Sequence, residues 1–153
     1  MSDRSTEHAT FTIEREYEAP PTRVFAAWAD AEAKSRWFGP PRSADGPGVE
    51  MDFSVGGRER FVAAGPDGAS YTYDALFMDI LAEQRIVYTY EMLRDQDRIS
   101  VSVTTVELQA AGAGTKLTYT EQGVFLDGLD TSAQREHGTR ELLGRLGSSL
   151  TPA

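Results

Sequence analysis

Thr131–Leu150, TSAQREHGTRELLGRLGSSL, is the one long amphipathic helix this sequence can make. At about 100° per residue, Leu142, Leu143, Leu146 and Leu150 fall on one face. Almost everything between Thr10 and Gln122 reads instead as strand with one apolar side. A long helix after a run of strands has to bury its leucines, and the sheet is the surface available. Carried back toward the N-terminus, the same helix face takes in Ser132, Arg135 and Thr139, with Glu136 at its margin. Either this polar half lines the mouth of a cavity beside the sheet, or it projects into water.

A length of 153 residues suits one domain with a real core. The formal net charge of −9 argues against nucleic acid and anionic membrane surfaces as partners, since phosphate binding needs clustered Lys and Arg. The absence of cysteine excludes disulfides, thiolate metal sites and thiol nucleophiles. The opening MSDRSTEHAT is polar and lacks the apolar core of a signal peptide, and no window approaches a membrane span. A soluble cytoplasmic protein is the expectation, with a polar tail over residues 1–9 and a single domain over residues 10–150.

Thr10–Glu18 alternates Phe11, Ile13 and Tyr17 against Thr12, Glu14 and Glu16, as a half-buried strand does. Ala19-Pro20-Pro21 stops it, and a helix can begin near Pro21, with Val24, Phe25 and Trp28 at helical spacing. Asp30 is placed to cap a second short helix over Ala31–Trp37. After a Gly- and Pro-rich loop to Gly48, strands are expected over Val49–Phe53, Arg58–Ala63, Ala69–Ile80, Arg85–Glu91, Ile99–Leu108 and Thr115–Gln122. Gly65-Pro66-Asp67-Gly68 is a strong hairpin turn. Short turns imply antiparallel neighbours. The predicted fold is therefore α+β, in the order β-α-α-β6-α: a curved antiparallel sheet wrapped around a long C-terminal helix, the helix-grip architecture.

Several short stretches carry a family resemblance. They are Glu18-Ala19-Pro20 followed by Val24-Phe25-Ala26-Ala27-Trp28, then Trp37-Phe38-Gly39-Pro40, Gly56-Gly57-Arg58, the Gly65–Gly68 hairpin, Arg85-Ile86-Val87-Tyr88-Thr89 and the leucine-spaced final helix. Together they resemble the bacterial proteins similar to the activator of the Hsp90 ATPase, within the START-like (SRPBCC) superfamily of hydrophobic-ligand-binding domains. The resemblance covers nearly the whole chain and concerns scaffold positions, which host many functions. Two positions depart from the family pattern. Thr139 follows Gly138 where the family often has tryptophan, and Ser54 precedes the double glycine where it often has arginine.

The candidate ligand-lining residues are Trp37, Phe38, Phe53, Phe61, Tyr73, Phe77, Tyr88, Val103, Tyr119, Phe125, Arg135 and Thr139. Tyr73, Tyr88 and Tyr119 stand out, because each sits mid-strand and brings a hydroxyl that needs a partner if buried. Trp28, Tyr71 and Tyr90 add to the aromatic supply, and any single aromatic reads first as plain core. A dry void costs roughly 24 cal/mol per Å³, so a pocket of about 300 Å³ would cost on the order of 7 kcal/mol. Whole domains are stable by only about 5–15 kcal/mol. Such a pocket has to be hydrated, filled or smaller, and polar groups at its mouth provide for hydration.

Glu121 shares a strand face with Leu117 and Tyr119. It is either a buried general base or anchor, with Arg60 or Arg135 as its cation, or a strand-end residue that has reached solvent. His8 lies in the tail and His137 projects away from the leucine face, so neither is expected to act. Without cysteine or paired histidines no metal is expected, and no cofactor. No serine sits in a GxSxG elbow. The leading expectation is a non-enzymatic binder of a small, largely hydrophobic molecule. The resemblance also implies a protein-interaction module of the Hsp90-activator kind, or an enzyme acting on an aromatic or polyketide-like substrate through Glu121. Monomer and homodimer both stay open.

Overall fold

A computed structural model describes residues 4–41, 43 and 46–151. The order is β1 (Thr6–Tyr17), α1 (Pro21–Ala29), α2 (Ala31–Ser35), β2 (Glu50–Met51), β3 (Arg58–Ala64), β4 (Ser70–Leu81), β5 (Arg85–Arg94), β6 (Asp97–Ala111), β7 (Gly114–Leu126) and α3 (Ser132–Leu150). The strands form one antiparallel, seven-stranded sheet in the order β1-β7-β6-β5-β4-β3-β2. The sheet is curved and unclosed, and α3 lies against its concave side: a helix-grip fold.

The expected strand boundaries shift where backbone pairing, rather than side-chain pattern, decides. Residues 1–9 read as a tail, yet β1 begins at Thr6. Thr6–Ala9 pair in register with Gly123–Leu126, and that pairing carries β7 past the expected end at Gln122. The Ser5 amide donates to Asp127 Oδ1 at 3.0 Å and locks the corner. Residues 1–3 of the expected tail lie outside the described residues. The strand expected over Val49–Phe53 shortens to Glu50–Met51. In the Gly65–Gly68 hairpin, Gly68 takes φ +81° and the Ala69 amide donates to Asp67 Oδ1 at 3.0 Å.

The starts of α2 and α3 are capped by side chains, the first by Asp30 as its sequence suggests. Asp30 accepts from the Glu32 amide at 3.1 Å, and Thr131 from the Gln134 amide at 3.1 Å. On α3, Leu143, Leu146 and Leu150 are buried. Each contributes about 1.5–3 kcal/mol when fully buried. Their partners include Ile13 and Tyr17 of β1 and Val24 and Trp28 of α1. The Tyr17 hydroxyl donates to the Leu143 carbonyl at 2.7 Å and fixes α3 along its axis. Arg23 donates to the Leu150 carbonyl, placing a cation at the helix C-terminus, where the macrodipole favours it.

Candidate functional site

Between the concave face and α3 lies a cavity of about 650 Å³. Aromatic rings make most of its wall. Trp28 comes from α1, Trp37 and Phe38 from the turn after α2, Phe61 from β3, Tyr73 from β4, Tyr88 and Tyr90 from β5, and Tyr119 from β7. Sheet register assembles them, since residues directly opposite on neighbouring strands share a face. Phe61 is opposite Tyr73 and their rings stack at 5.1 Å. Tyr73 lies 5.1 Å from Tyr90 on the next strand, and Phe38 meets Tyr73 edge-on at 5.2 Å. Gln134, Arg135, Gly138, Thr139 and Leu142 of α3 form the opposing side. Burial pushes the hydroxyls of Tyr73, Tyr88, Tyr90 and Tyr119 above the ordinary phenol value, so all four stay protonated at neutral pH.

At one end of the cavity the lining rests on a buried carboxylate. Glu121 is 0% exposed. Its Oε2 accepts from Tyr90 OH at 2.6 Å, Ser102 Oγ at 2.7 Å and Arg135 Nη1 at 3.2 Å, and its Oε1 from Tyr119 OH at 2.8 Å. Arg135 also donates from Nη1 to Tyr90 OH at 2.7 Å, and from Nη2 to Ser100 Oγ and Asp130 Oδ2, each at 2.8 Å. Its guanidinium lies over the Phe125 ring at 5.3 Å. Burial works against the Arg135 charge, but Tyr90, Glu121 and Asp130 outweigh it and hold the group above its ordinary value.

A second buried pair lies behind the opposite wall. Lys34 Nζ contacts Glu59 Oε1 at 2.7 Å, with the side chains 4% and 1% exposed. The Tyr73 hydroxyl donates to the same oxygen at 3.4 Å. Lys34 sits 4.4 Å from the centre of the Phe38 ring and 5.5 Å from that of Trp28. Burial pushes its ammonium below the ordinary lysine value, against the pull of Glu59. Glu59 Oε2 and Trp28 Nε1 are sealed from solvent and have no partner.

Of the residues singled out from sequence, Trp37, Phe38, Phe61, Tyr73, Tyr88, Tyr119, Arg135 and Thr139 lie together on the cavity wall. Of the polar half of α3, Arg135 and Thr139 therefore face the cavity and not bulk water, while Ser132 and Glu136 are not part of its wall: Thr139 is 4% exposed and donates to the Arg135 carbonyl at 2.8 Å. The remaining four candidates lie elsewhere. Phe53 packs edge-on against Phe25 and Phe77, at 5.7 and 5.0 Å, so Phe53 and Phe77 belong to the core under α1. Phe125 is buried beneath Arg135. Val103 points out of the sheet and is 40% exposed.

Val103 is misplaced for a physical reason. On β6 Val101 and Val103 face solvent, while Ser100, Ser102 and Thr104 face inward at 0%, 2% and 0% exposure. Ser102 serves Glu121 and Ser100 serves Arg135, and valine could do neither. Glu121 itself does not reach solvent, and its cation is Arg135, not the exposed Arg60. His137 is exposed and pairs with Glu141 at 2.9 Å, and His8 lies exposed on β1.

Sequence reading missed Tyr90 and Met92 as lining residues and missed the Lys34–Glu59 pair altogether. A signal existed for Glu59. In Arg58–Ala63 it alternates onto the face of Phe61, just as Glu121 does with Tyr119. Lys34 carried no such signal, since a five-residue helix has too little periodicity to separate a buried face.

A curved, unclosed antiparallel sheet gripping a C-terminal helix, with an aromatic cavity between them, defines a START-like (SRPBCC) protein. Within that class the chain belongs to the family described as activator of Hsp90 ATPase homolog 1-like protein, whose model matches residues 18–151. The chain is similar to a protein of Rhizobium leguminosarum at 44% identity, covering 97% of this chain and 98% of that one, with a TM-score of 0.89. It is similar to Mll3558 of Rhizobium loti at 46% identity, covering 95% and 99%, with a TM-score of 0.87. CV1439 of Chromobacterium violaceum shares the fold at 23% identity, covering 94% and 98%, with a TM-score of 0.73. A comparison with curated proteins gives no match. Among the described residues, no helix is long and apolar enough to cross a membrane.

Proposed function

We propose that this protein binds a small, largely hydrophobic molecule between its curved sheet and α3. The observation that carries the reading is the cavity of about 650 Å³ walled by aromatic side chains, with polar groups of α3 along one side. Its volume falls in the range of about 300–1,000 Å³ usual for small-molecule sites. At roughly 24 cal/mol per Å³, a dry void of that size would cost about 16 kcal/mol, more than an ordinary domain's stability. The space is therefore one that water or a ligand occupies.

The enzymatic alternative loses its base. A carboxylate offers about four lone-pair sites. Glu121 spends its oxygens on Tyr90, Tyr119, Ser102 and Arg135, and none of its surface is exposed. A general base has to reach a substrate proton within hydrogen-bond distance, and Glu121 serves as an anchor for the wall instead.

The test uses the chain's own reporters. Its two tryptophans, Trp28 and Trp37, both line the cavity. N-phenyl-1-naphthylamine added to the protein should gain emission by energy transfer from them, saturate at one site, and raise the melting temperature by mass action. A probe that shows neither transfer nor a thermal shift sinks the binding reading.

A further inference from the structure

Resting on the binding reading, we infer that the cavity selects planar aromatic molecules that are neutral or cationic and donate a hydrogen bond, such as phenols and aromatic amines, over carboxylates. The wall has polar atoms, but the protons of four of its hydroxyls are already committed. Tyr90 and Tyr119 donate to Glu121, at 2.6 and 2.8 Å. Tyr73 donates to Glu59 at 3.4 Å and Thr139 to the Arg135 carbonyl at 2.8 Å. A hydroxyl has one proton and two lone pairs. With the proton spent inward, and Tyr90 also accepting from Arg135, what Tyr73, Tyr119 and Thr139 can turn toward a ligand is an acceptor.

Four of the five N–H donors of the obvious anion receptor are also spent. Arg135 gives Nη1 to Tyr90 and Glu121, and Nη2 to Ser100 and Asp130. Two carboxylates face this one guanidinium, at 3.2 and 2.8 Å. An incoming carboxylate would have to displace one of them and would lie beside the other. Trp28 has an unpartnered Nε1–H, but that atom is sealed inside the wall. Arg145 is the remaining cation of the lining. It has no carboxylate partner among the described residues, but it is exposed at the rim, where a single ion pair is worth little.

The ring faces point the same way. A cation over the face of Trp or Tyr is attracted by the ring quadrupole, the more so where water is excluded. The chain's net charge of −9 draws cations toward it and repels anions. A buried acceptor left facing an ether or a carboxylate stays unpaired, and sites built around such groups discriminate strongly against the ligand lacking the donor.

Four probes on one ring system test this by isothermal titration calorimetry: 1-naphthol, 1-methoxynaphthalene, 1-naphthylmethylammonium and 1-naphthoate. The expected order has naphthol about tenfold tighter than its methyl ether, the worth of one buried hydrogen bond. The ammonium binds at least as far ahead of the naphthoate. Asp130→Asn, which keeps an acceptor for Arg135 but removes one of its two carboxylate charges, should raise naphthoate affinity several-fold and move naphthol far less. Arg145→Gln should leave the order as it is. A naphthoate that binds as tightly as the ammonium, or an ether that equals naphthol, overturns the inference while leaving the cavity a binding site. Heat from none of the four overturns both.

Discussion

Lys34 Nζ lies 2.7 Å from Glu59 Oε1, and both side chains are closed off from solvent. The contact ties α2 to β3 directly behind Phe38 and Tyr73, which form the cavity wall. Glu121 and Arg135 do the same at the other end, tying β7 to α3 behind Tyr90 and Tyr119. An aromatic box of this size needs its rings held from behind, because few apolar atoms press on them from the cavity side. Two buried ion pairs supply that hold.

Breaking the first pair from one side should be costly. Lys34→Met leaves Glu59 buried with only the long Tyr73 contact and should destabilise by about 3–5 kcal/mol. The double variant Lys34→Met/Glu59→Leu replaces the pair with apolar groups of similar volume and should recover most of that loss. Urea unfolding of the wild type, both single variants and the double variant closes the cycle. A double variant no better than Lys34→Met would show that the pair stabilises beyond its own desolvation.

Glu121→Gln should cost about 2–4 kcal/mol, because the amide leaves Arg135 with one carboxylate and turns a donor toward groups that already donate. Asp130→Asn should cost under about 1 kcal/mol, since Asp130 is partly exposed and its pair screened. Chemical denaturation of the two variants gives the comparison. Equal losses would mean that the buried end of the cluster is no more demanding than its rim.

The strand order and the gripping helix could be read from sequence because they rest on periodicity. Leu143, Leu146 and Leu150 repeat at helical spacing, and Phe11, Ile13 and Tyr17 are all buried from alternating positions. The aromatic wall was legible for the same reason, since a mid-strand tyrosine with apolar neighbours on its face points inward. What stayed hidden was any place where polarity runs against pattern. On β6 the hydrophobic alternation selects Val101 and Val103 for the core, yet serines occupy it, because a charged cluster contributed by β7 and α3 needs their hydroxyls. Such a reversal depends on partners far away in the chain, and local sequence does not carry it.

Alkaline pH should unfold the protein steeply. Burial raises the folded-state values of Tyr17, Tyr73, Tyr88, Tyr90 and Tyr119 above the ordinary 10.0. A raised value means that the folded state keeps a proton the unfolded chain gives up. Stability from these groups is thus fully present below pH 10 and falls above it, by about 1.4 kcal/mol per pH unit for each tyrosine still protonated. Tyrosinate absorbance near pH 11 should rise together with the loss of circular dichroism. Tyr88→Phe should make the fall shallower by about one proton. Ionisation of these tyrosines in a chain that remains folded would contradict the burial.

Two glycines separate the open side of the cavity from its packed floor. A Cβ on Gly138 would meet nothing within 4 Å, although Gly138 lies mid-helix on the cavity lining. Gly138→Ala should therefore stabilise by about 0.5–1 kcal/mol through helix propensity alone. A Cβ on Gly123 would lie 2.8 Å from Ser102 Oγ and 3.3 Å from the Phe125 ring. Ser102 cannot yield freely, since its hydroxyl is held by Glu121 at 2.7 Å. Gly123→Ala should accordingly cost about 1–3 kcal/mol, the usual range for overpacking. Gly138→Phe then isolates the cavity itself. A Cβ there meets no atom and lies beside the cavity, so the melting temperature should hold while N-phenyl-1-naphthylamine loses affinity at least about tenfold, the loss of roughly 1.4 kcal/mol. Unchanged probe affinity in a folded Gly138→Phe protein would place the probe outside the space between the sheet and α3.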